Sequence, residues 1–288
     1  MPWFPEYVTA VELARRDARA VGQADPVAQY VRALQRGDTG ELETAWPSEV
    51  VVADPRFGEL RGHRELREFV RFSKSMLAEH HARIETTATT RMGNRAVVEL
   101  LAHLKVEGRE VGWPAAIVAE SPDDRSVKFR SYFSLAPILG RRQVRSALLP
   151  PGGVHPTDVV GRYQDAFEVG DVEAIVDTFE PDGYFREARG SQYLHRGAAE
   201  LRSLFAWYFS AGGGIGVQPC SVTDDGVRCA MEFTCFRWGS HDLPPQAGIA
   251  IHERGLQGSL AAVRCYDDIE APLGSPLTTL GLQREQDS

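Results

Sequence analysis

The chain repeats itself, and this duplication constrains its fold more than any other feature of the sequence. The stretch QYVRALQRGD (29–38) matches RYQDAFEVGD (162–171), with an offset of 133 residues between Tyr30 and Tyr163. LRGHRELREFV (60–70) likewise matches HRGAAELRSLF (195–205), and FRSYFSLAP (129–137) matches VRCYDDIEAP (263–272). Three matches in the same order, in repeats of over a hundred residues, predict two copies of one domain rather than an array of short units.

The repeats also set the predicted domain boundaries. The first domain covers residues 24–140 and the second covers 157–272. Pro, Gly and Arg replace periodic apolar residues between them, which predicts a linker at 141–156. Residues 1–23 form an N-terminal extension with a predicted helix over 6–21, and 273–288 form a C-terminal tail.

Each repeat shows the same order of predicted elements. A helix leads through Gly-Asp to a second short helix, then to a short strand, a loop and a longer helix, at 64–77 or 199–209. Segments rich in β-branched residues follow, in the first repeat at 84–90, 96–106, 115–120 and 127–134. This order predicts an α+β fold with helices on one face of a curved, mostly antiparallel sheet.

Composition excludes several classes of protein. The 288 residues carry a formal charge of −8, which argues against a general surface for nucleic acid or anionic membranes. The N-terminus lacks the pattern of a signal peptide and no apolar run could span a membrane, so we predict a soluble, cytoplasmic protein. The spacing of the four cysteines fits neither a disulfide framework nor a zinc site and favours reduced thiols packed in strands. The phosphate-loop and nucleophile-elbow patterns are both missing, so covalent catalysis is disfavoured and no cofactor or metal is expected.

The motifs ALQRGD, VVADP, LRGHRELREF and FRSYFS together resemble the nuclear transport factor 2-like superfamily. Within it they are similar to the SnoaL-like branch, which includes polyketide cyclases and has ketosteroid isomerases and epoxide hydrolases as relatives. The second half resembles the same family through FEVGD, FEPDGYFRE, HRGAAELRSLF and VRCYDD. The resemblance implies two tandem cone-shaped domains, each enclosing an apolar cavity. Because many members dimerise through the outer face of the sheet, it also implies a monomeric pseudo-dimer or a homodimer.

Matched carboxylates are the first candidates for catalysis. Asp54 ends a strand where isomerase-like members of the family place a catalytic acid, and Glu187 matches it in the second repeat. Glu99 and Glu232 form a second matched pair within otherwise apolar strands. If these acids line the cavities, burial and mutual repulsion separate their pKa values into a base and a proton donor.

Less specific interpretations of these acids stay open. Asp54 followed by Pro is an ordinary strand terminator, and Glu187 can pair with Arg186 or Arg189 at a rim. Because strand side chains alternate between faces, Glu99 and its counterpart can equally point to solvent.

Further candidates would bind the substrate. Tyr30 and Tyr163 are possible phenol donors, although a helix tyrosine among apolar neighbours is more often part of the core. The last strand of each repeat holds Arg and Tyr at positions where family members often carry polar pocket residues, and two tryptophans flank strands or turns. These further candidates are Arg130, Tyr132, Arg264, Tyr266, Asp267, Trp113 and Trp238. Because Phe133 stands where the second repeat has Asp267, the two cavities are expected to differ.

The sequence therefore predicts a cofactor-independent acid/base enzyme of the cyclase, isomerase or epoxide hydrolase type. Its expected substrate is a hydrophobic oxygenated small molecule, as in secondary metabolism, and neither nucleic acid nor membrane is an expected partner. The alternative is a non-catalytic binding or scaffold protein with a fused pseudo-dimer architecture.

Overall fold

A computed structural model of the chain describes residues 25–270. The predicted N-terminal helix over 6–21 and the tail at 273–288 lie outside the described residues. No helix within the described part of the chain is long and apolar enough to cross a membrane.

The helices occupy the predicted places in both repeats. In the first repeat they are α1 (Pro26–Arg36), α2 (Gly40–Ala45) and α3 (Gly62–Glu79), followed by a short α4 (Ala136–Leu139). In the second repeat they are α5 (Val159–Val169), α6 (Val172–Val176) and α7 (Gly197–Tyr208).

The repeated Gly-Asp pair is explained by the way these helices end and restart. Gly37 and Gly170 close α1 and α5 with φ of 74° and 79°, left-handed values that glycine adopts without steric cost. Asp171 then caps α6, because its carboxylate accepts a hydrogen bond from the backbone N–H of Ala174 at 3.0 Å.

The strands form two six-stranded sheets. The first contains β1 (Glu49–Asp54), β2 (Gly58–Arg61), β3 (Arg83–Met92), β4 (Arg95–Val106), β5 (Arg109–Glu120) and β6 (Ser126–Tyr132), in the order β2-β1-β6-β5-β4-β3. The second contains β7 (Phe179–Arg186), β8 (Leu194–Arg196), β9 (Ile215–Asp224), β10 (Arg228–Trp238), β11 (His241–Arg254) and β12 (Leu260–Cys265), in the order β8-β7-β12-β11-β10-β9.

Both sheets are mixed, because the first strand of each sheet in chain order runs parallel to the last. Strand β1 runs parallel to β6, with Val52 opposite Phe129, and β7 runs parallel to β12, with Phe185 opposite Val263. The pairs β1–β2, β3–β4, β7–β8, β9–β10, β10–β11 and β11–β12 are antiparallel. The predicted α+β class and mostly antiparallel sheets are thereby confirmed.

Packing divides the chain into two compact units. Among the described residues, the smaller unit comprises 25–80 together with 118–130, and the larger comprises 81–117 together with 131–270. In the smaller unit, the buried ring of Tyr30 stacks on Phe129 at a centroid distance of 4.5 Å and lies parallel to Phe69. The exact limits 24–140, 141–156 and 157–272 stay a prediction.

The core of the larger unit lies between the helices of the second repeat and their sheet. Tyr163 on α5 is buried against Phe167, Phe179 and Phe205, in contacts of the edge-on or stacked type.

The four cysteines are free thiols, as predicted, and burial raises the pKa of Cys229 and Cys235 to about 12. Thiols with so high a pKa are unreactive packing groups.

Candidate functional site

A cavity of about 340 Å³ lies within the larger compact unit. Its walls come from α5, α7, β9, β10, the ends of β7 and β12, and the chain that leads into the second repeat. The apolar part of its lining includes Phe167, Phe185, Trp207, Ile215, Val217, Phe233 and Trp238, and the polar part includes Arg141, Arg142, Glu187, Arg189, Tyr208, Asp267 and Glu270. A largely apolar cavity with a few charged groups suits a small hydrophobic ligand that carries oxygen.

Asp267 is the acid with the most unusual environment in this cavity. It follows β12, and its Oδ1 accepts a long hydrogen bond, of 3.4 Å, from the backbone N–H of Ile269. Its Oδ2 is buried and accepts no hydrogen bond from residues 25–270. A buried carboxylate with so few donors is poorly stabilised in its charged form.

The pKa of Asp267 reflects this environment. The pKa of Asp267 is raised to about 7, chiefly by burial and also by the charge of Asp268, although the backbone N–H groups of Ile269 and Ile249 and the positive charge of Arg142 act to lower it. A carboxyl group with a pKa near 7 can both accept and return a proton at neutral pH.

Gly248 on β11 makes room for this carboxyl group. A Cβ at this position would lie 2.8 Å from Oδ2 of Asp267 and 2.7 Å from ring atoms of Phe233, which is closer than real Cβ contacts. Gly248 pairs with Phe233 in the register of β10 and β11. The first repeat has Ala115 at the matching place.

Glu187 is the second acid of the cavity and immediately follows β7. Its Oε1 lies 2.9 Å from Nε2 of His195 on β8, and its Oε2 lies 3.3 Å from Nε of Arg189. Burial raises the pKa of Glu187, but the hydrogen bond from His195 and the charge of Arg189 outweigh it, so the pKa is lowered. Glu187 is therefore charged at neutral pH when Asp267 is half protonated.

Tyr208, at the end of α7, is a phenol donor in the cavity lining. Burial and then the charge of Glu187 raise the pKa of Tyr208 well above its usual value, so the hydroxyl keeps its proton. Trp238 packs edge-on against the Tyr208 ring and donates from Nε1 to the backbone carbonyl of Tyr208 at 3.0 Å. This pair provides a rigid aromatic wall with a polar tip.

Asp54, the matching acid of the first repeat, has different surroundings. It is buried at the end of β1, where Oδ1 accepts from the backbone N–H and Nε of Arg56 at 2.8 and 3.0 Å, and Oδ2 accepts from Nη2 at 3.1 Å. Both oxygens are therefore held by one neighbouring arginine, an arrangement that fits a strand terminus. Asp54 belongs to the smaller compact unit and does not line the cavity described above.

Glu99 and Glu232 are buried, in agreement with their apolar strands, but neither lines this cavity. Within the larger unit, Glu99 pairs with Arg264 and accepts a hydrogen bond from Tyr266. Glu232 accepts a hydrogen bond from Tyr132 at 2.8 Å. The two matched acids thus have tyrosine partners that are themselves matched between the repeats.

Of the other predicted substrate-binding residues, Asp267 and Trp238 line the cavity and the rest have structural contacts. The rings of Tyr30 and Tyr163 lie in the two cores. Arg130 forms an ion pair with Glu120 at 2.9 Å, and the indole N–H of Trp113 donates to the carbonyl of Ser134 at 2.8 Å.

Sequence reasoning missed four residues of the site: Arg142, His195, Tyr208 and Gly248. A signal existed for His195, because the aligned motifs place Leu60 at the matching position of the first repeat. A polar residue that replaces an apolar one beside a predicted site acid is evidence that the two sites differ. No group of three or more side chains that could hold a metal ion occurs among residues 25–270.

Comparison with known proteins agrees with this fold. The model of the SnoaL-like domain family matches twice, at residues 27–129 and 160–256. No curated protein matches the sequence.

Solved structures match part of the chain. A candidate polyketide cyclase from Sinorhizobium meliloti is 19% identical, with a TM-score of 0.31, over 37% of this chain and 92% of its own. A protein with a ketosteroid isomerase-like fold from Catenulispora acidiphila, in complex with trimethylamine, is 16% identical, with a TM-score of 0.33, over 43% and 92%. SalBIII, an epoxide hydrolase/cyclase-like enzyme of pyran ring formation in the polyether salinomycin, is 18% identical, with a TM-score of 0.32, over 38% and 86%.

Proposed function

The chain belongs to the SnoaL-like domain family, and we propose that its second repeat is an acid/base catalyst for a hydrophobic, oxygenated small molecule. The observation that carries the proposal is Asp267, a cavity-lining carboxyl group whose pKa burial raises to about 7. A base is most effective when its pKa is close to the working pH, because it is then both available and strong enough.

The other polar groups of the cavity suit the same chemistry. Glu187 supplies a fixed negative charge, whereas Tyr208 supplies a hydroxyl that stays protonated and can donate a hydrogen bond to a substrate oxygen. The step we propose is removal of a proton from carbon next to a carbonyl group. Asp267 takes the proton, the C–H electron pair forms a new C=C bond, and the carbonyl π electrons move to the oxygen.

The first repeat is proposed to have a structural role. Both oxygens of Asp54 are held by Arg56, and Phe133 replaces Asp267 at the matching position. Phe133 packs edge-on against Trp113 with ring centroids 4.7 Å apart. The duplicated chain would therefore carry one catalytic cavity.

The test uses a probe reaction that reports a buried base without knowledge of the natural substrate. 5-Nitrobenzisoxazole loses the proton on its C3 carbon to a base, its N–O bond breaks, and a coloured cyanophenolate forms. We expect the purified protein to accelerate this reaction and Asp267→Asn to lower the rate by about 10²-fold or more, which is the usual contribution of a positioned base.

The matched control is Asp165→Asn, which removes an exposed carboxylate from α5 in the same repeat. It should keep the rate of the parent protein. Equal rates in Asp267→Asn and the parent protein would overturn the proposal and favour the non-catalytic binding alternative. Mass spectrometry of small molecules that co-purify with the protein then identifies the ligand class in either case.

A further inference from the structure

One wall of the cavity comes from the chain that connects the repeats. The segment of residues 135–143, here called the linker loop, contains α4 and contributes Ala136, Gly140, Arg141 and Arg142 to the cavity lining. The family model does not extend over this loop, since its matches end at 129 and resume at 160. The cavity of the second repeat is therefore closed partly by the end of the first predicted domain, with Ala136 and Gly140, and partly by the predicted linker, with Arg141 and Arg142.

Asp268 accepts hydrogen bonds from both ends of the linker loop. Its Oδ2 accepts from the backbone N–H groups of Leu135 at 2.8 Å and Gln143 at 2.9 Å, and its Oδ1 accepts from the hydroxyl of Ser134. Asp268 is buried, so these bonds are shielded from water and hold the loop firmly. The same residue directly follows Asp267, which places the loop next to the proposed base.

Arg142 is the residue of the linker loop whose side chain is best suited to bind a ligand. Its Nη1 donates to the backbone carbonyl of Ile269 at 2.5 Å, and this is the one hydrogen bond that its guanidinium makes to residues 25–270. A guanidinium has five N–H groups, so most of them remain for a ligand.

The positive charge of Arg142 acts on three titratable groups that line the cavity. Burial raises the pKa of Asp267, Glu187 and Tyr208, and in each case the positive charge of Arg142 is among the influences that lower it. Arg142 lines the same cavity as these three groups, so its positive charge lies at the wall of the space that they share. A negative charge that forms on a substrate at this point would be stabilised by it.

We propose that Arg142 binds the substrate oxygen that becomes negative when Asp267 removes a proton, so that the linker loop completes the active site. The inference rests on the proposed function and adds the group that recognises its substrate, because the guanidinium of Arg142 pairs with the enolate oxygen of an apolar carbonyl compound. Asp267, after β12, thus takes the proton, and Arg142 of the linker loop stabilises the negative charge on the oxygen.

The binding test compares two probes of the same size, 2-naphthoate and 2-methylnaphthalene, followed by their fluorescence at pH 6. Arg142→Gln should weaken binding of 2-naphthoate by about tenfold or more, as expected for loss of a charge-assisted hydrogen bond. Binding of 2-methylnaphthalene should change by less than about twofold, because the apolar walls are intact. Arg142→Lys should recover part of the affinity for 2-naphthoate.

The matched control is Arg162→Gln, which removes an exposed arginine of α5 away from the cavity lining and should leave both affinities unchanged. Retained binding of 2-methylnaphthalene shows that each variant is folded. Unchanged affinity of Arg142→Gln for 2-naphthoate would overturn the inference.

The rate test separates this inference from the proposed function. With 5-nitrobenzisoxazole, Arg142→Gln should lower kcat by about tenfold, because negative charge forms on the departing oxygen. If Asp267→Asn abolishes the reaction while Arg142→Gln leaves both kcat and naphthoate affinity unchanged, the base assignment stands and the role of Arg142 is wrong.

Discussion

Arg264 holds Glu99 in a two-point ion pair, with Nη2 donating to Oε1 at 2.8 Å and Nε donating to Oε2 at 2.5 Å. Both side chains are buried in the larger compact unit. Burial alone would raise the pKa of Glu99, but the hydrogen bonds and charge of Arg264 outweigh it, and the pKa is lowered. These contacts describe a structural carboxylate rather than an acid poised for proton transfer.

We therefore predict that Glu99→Gln lowers stability more than catalysis. The free energy of unfolding should fall by about 3–5 kcal/mol, because Arg264 is left as a buried charge with one partner weakened. Urea unfolding measures this change, and Glu85→Gln on β3, which removes an exposed carboxylate, is the control with an expected change of about 0.5 kcal/mol or less. If Glu99→Gln kept full stability but lost turnover of 5-nitrobenzisoxazole, Glu99 would have the catalytic role that the sequence predicts.

The raised pKa of Asp267 predicts a specific dependence of stability on pH. The folded protein holds a proton on Asp267 up to pH about 7, whereas the unfolded chain releases it near 4, so stability falls as pH rises through this window. Asp267→Asn removes that loss, and its Tm should exceed that of the parent protein at pH 8 but match it near pH 4. The gain at pH 8 is on the order of 2–4 kcal/mol.

Scanning calorimetry of the two proteins at both pH values tests this expectation. The exposed variant Asp165→Asn should show no such difference. A Tm gain of equal size at pH 4 and pH 8 would mean that the carboxyl group of Asp267 does not titrate between them.

His195 is predicted to set the charge state of Glu187. Burial raises the pKa of Glu187 and the hydrogen bond from His195 is the largest influence that lowers it, so His195→Leu should raise this pKa. Leu is the residue at the matching place of the first repeat, Leu60. A 13C NMR titration of the Glu187 carboxyl carbon should show this higher pKa, whereas His195→Gln, which keeps a donor, should raise the pKa less. An unchanged titration of Glu187 in His195→Leu would show that Glu187 is held by Arg189 alone.

Gly248→Ala should impair catalysis through crowding. The added Cβ would lie 2.8 Å from Oδ2 of Asp267 and 2.7 Å from the ring of Phe233, so the carboxyl group must shift. A displaced base typically loses much of its effect, and we expect kcat to fall by about tenfold or more. The same change made in an Asp267→Asn background should cost no further activity. If the losses of kcat were additive in the double variant, Gly248→Ala would act through a group other than the carboxyl group of Asp267.

The duplication in the sequence was sufficient to predict the fold. Apolar periodicity located the helices, and strand patterns located the sheets, because both depend on local alternation of buried and exposed side chains. The family resemblance and the tandem arrangement are confirmed by the matches at 27–129 and 160–256.

The site was less predictable, because it depends on which face of a strand points inward and on contacts distant in sequence. Glu187 and Asp267 line the cavity, but Glu99 and Glu232 point to partners that no local pattern reveals. Arg142 lies in a segment without a repeat, so comparison of the two halves had no signal to offer. Gly248 matters only because a carboxyl group from another strand approaches it.

The bonds from Asp268 to Leu135 and Gln143 have a consequence for how such a chain can evolve. A recombination that joined the second repeat to a different upstream neighbour would leave a buried carboxylate without its donors and open one side of the cavity. The second repeat is therefore not an exchangeable module. The inherited unit is the repeat together with the linker loop that precedes it.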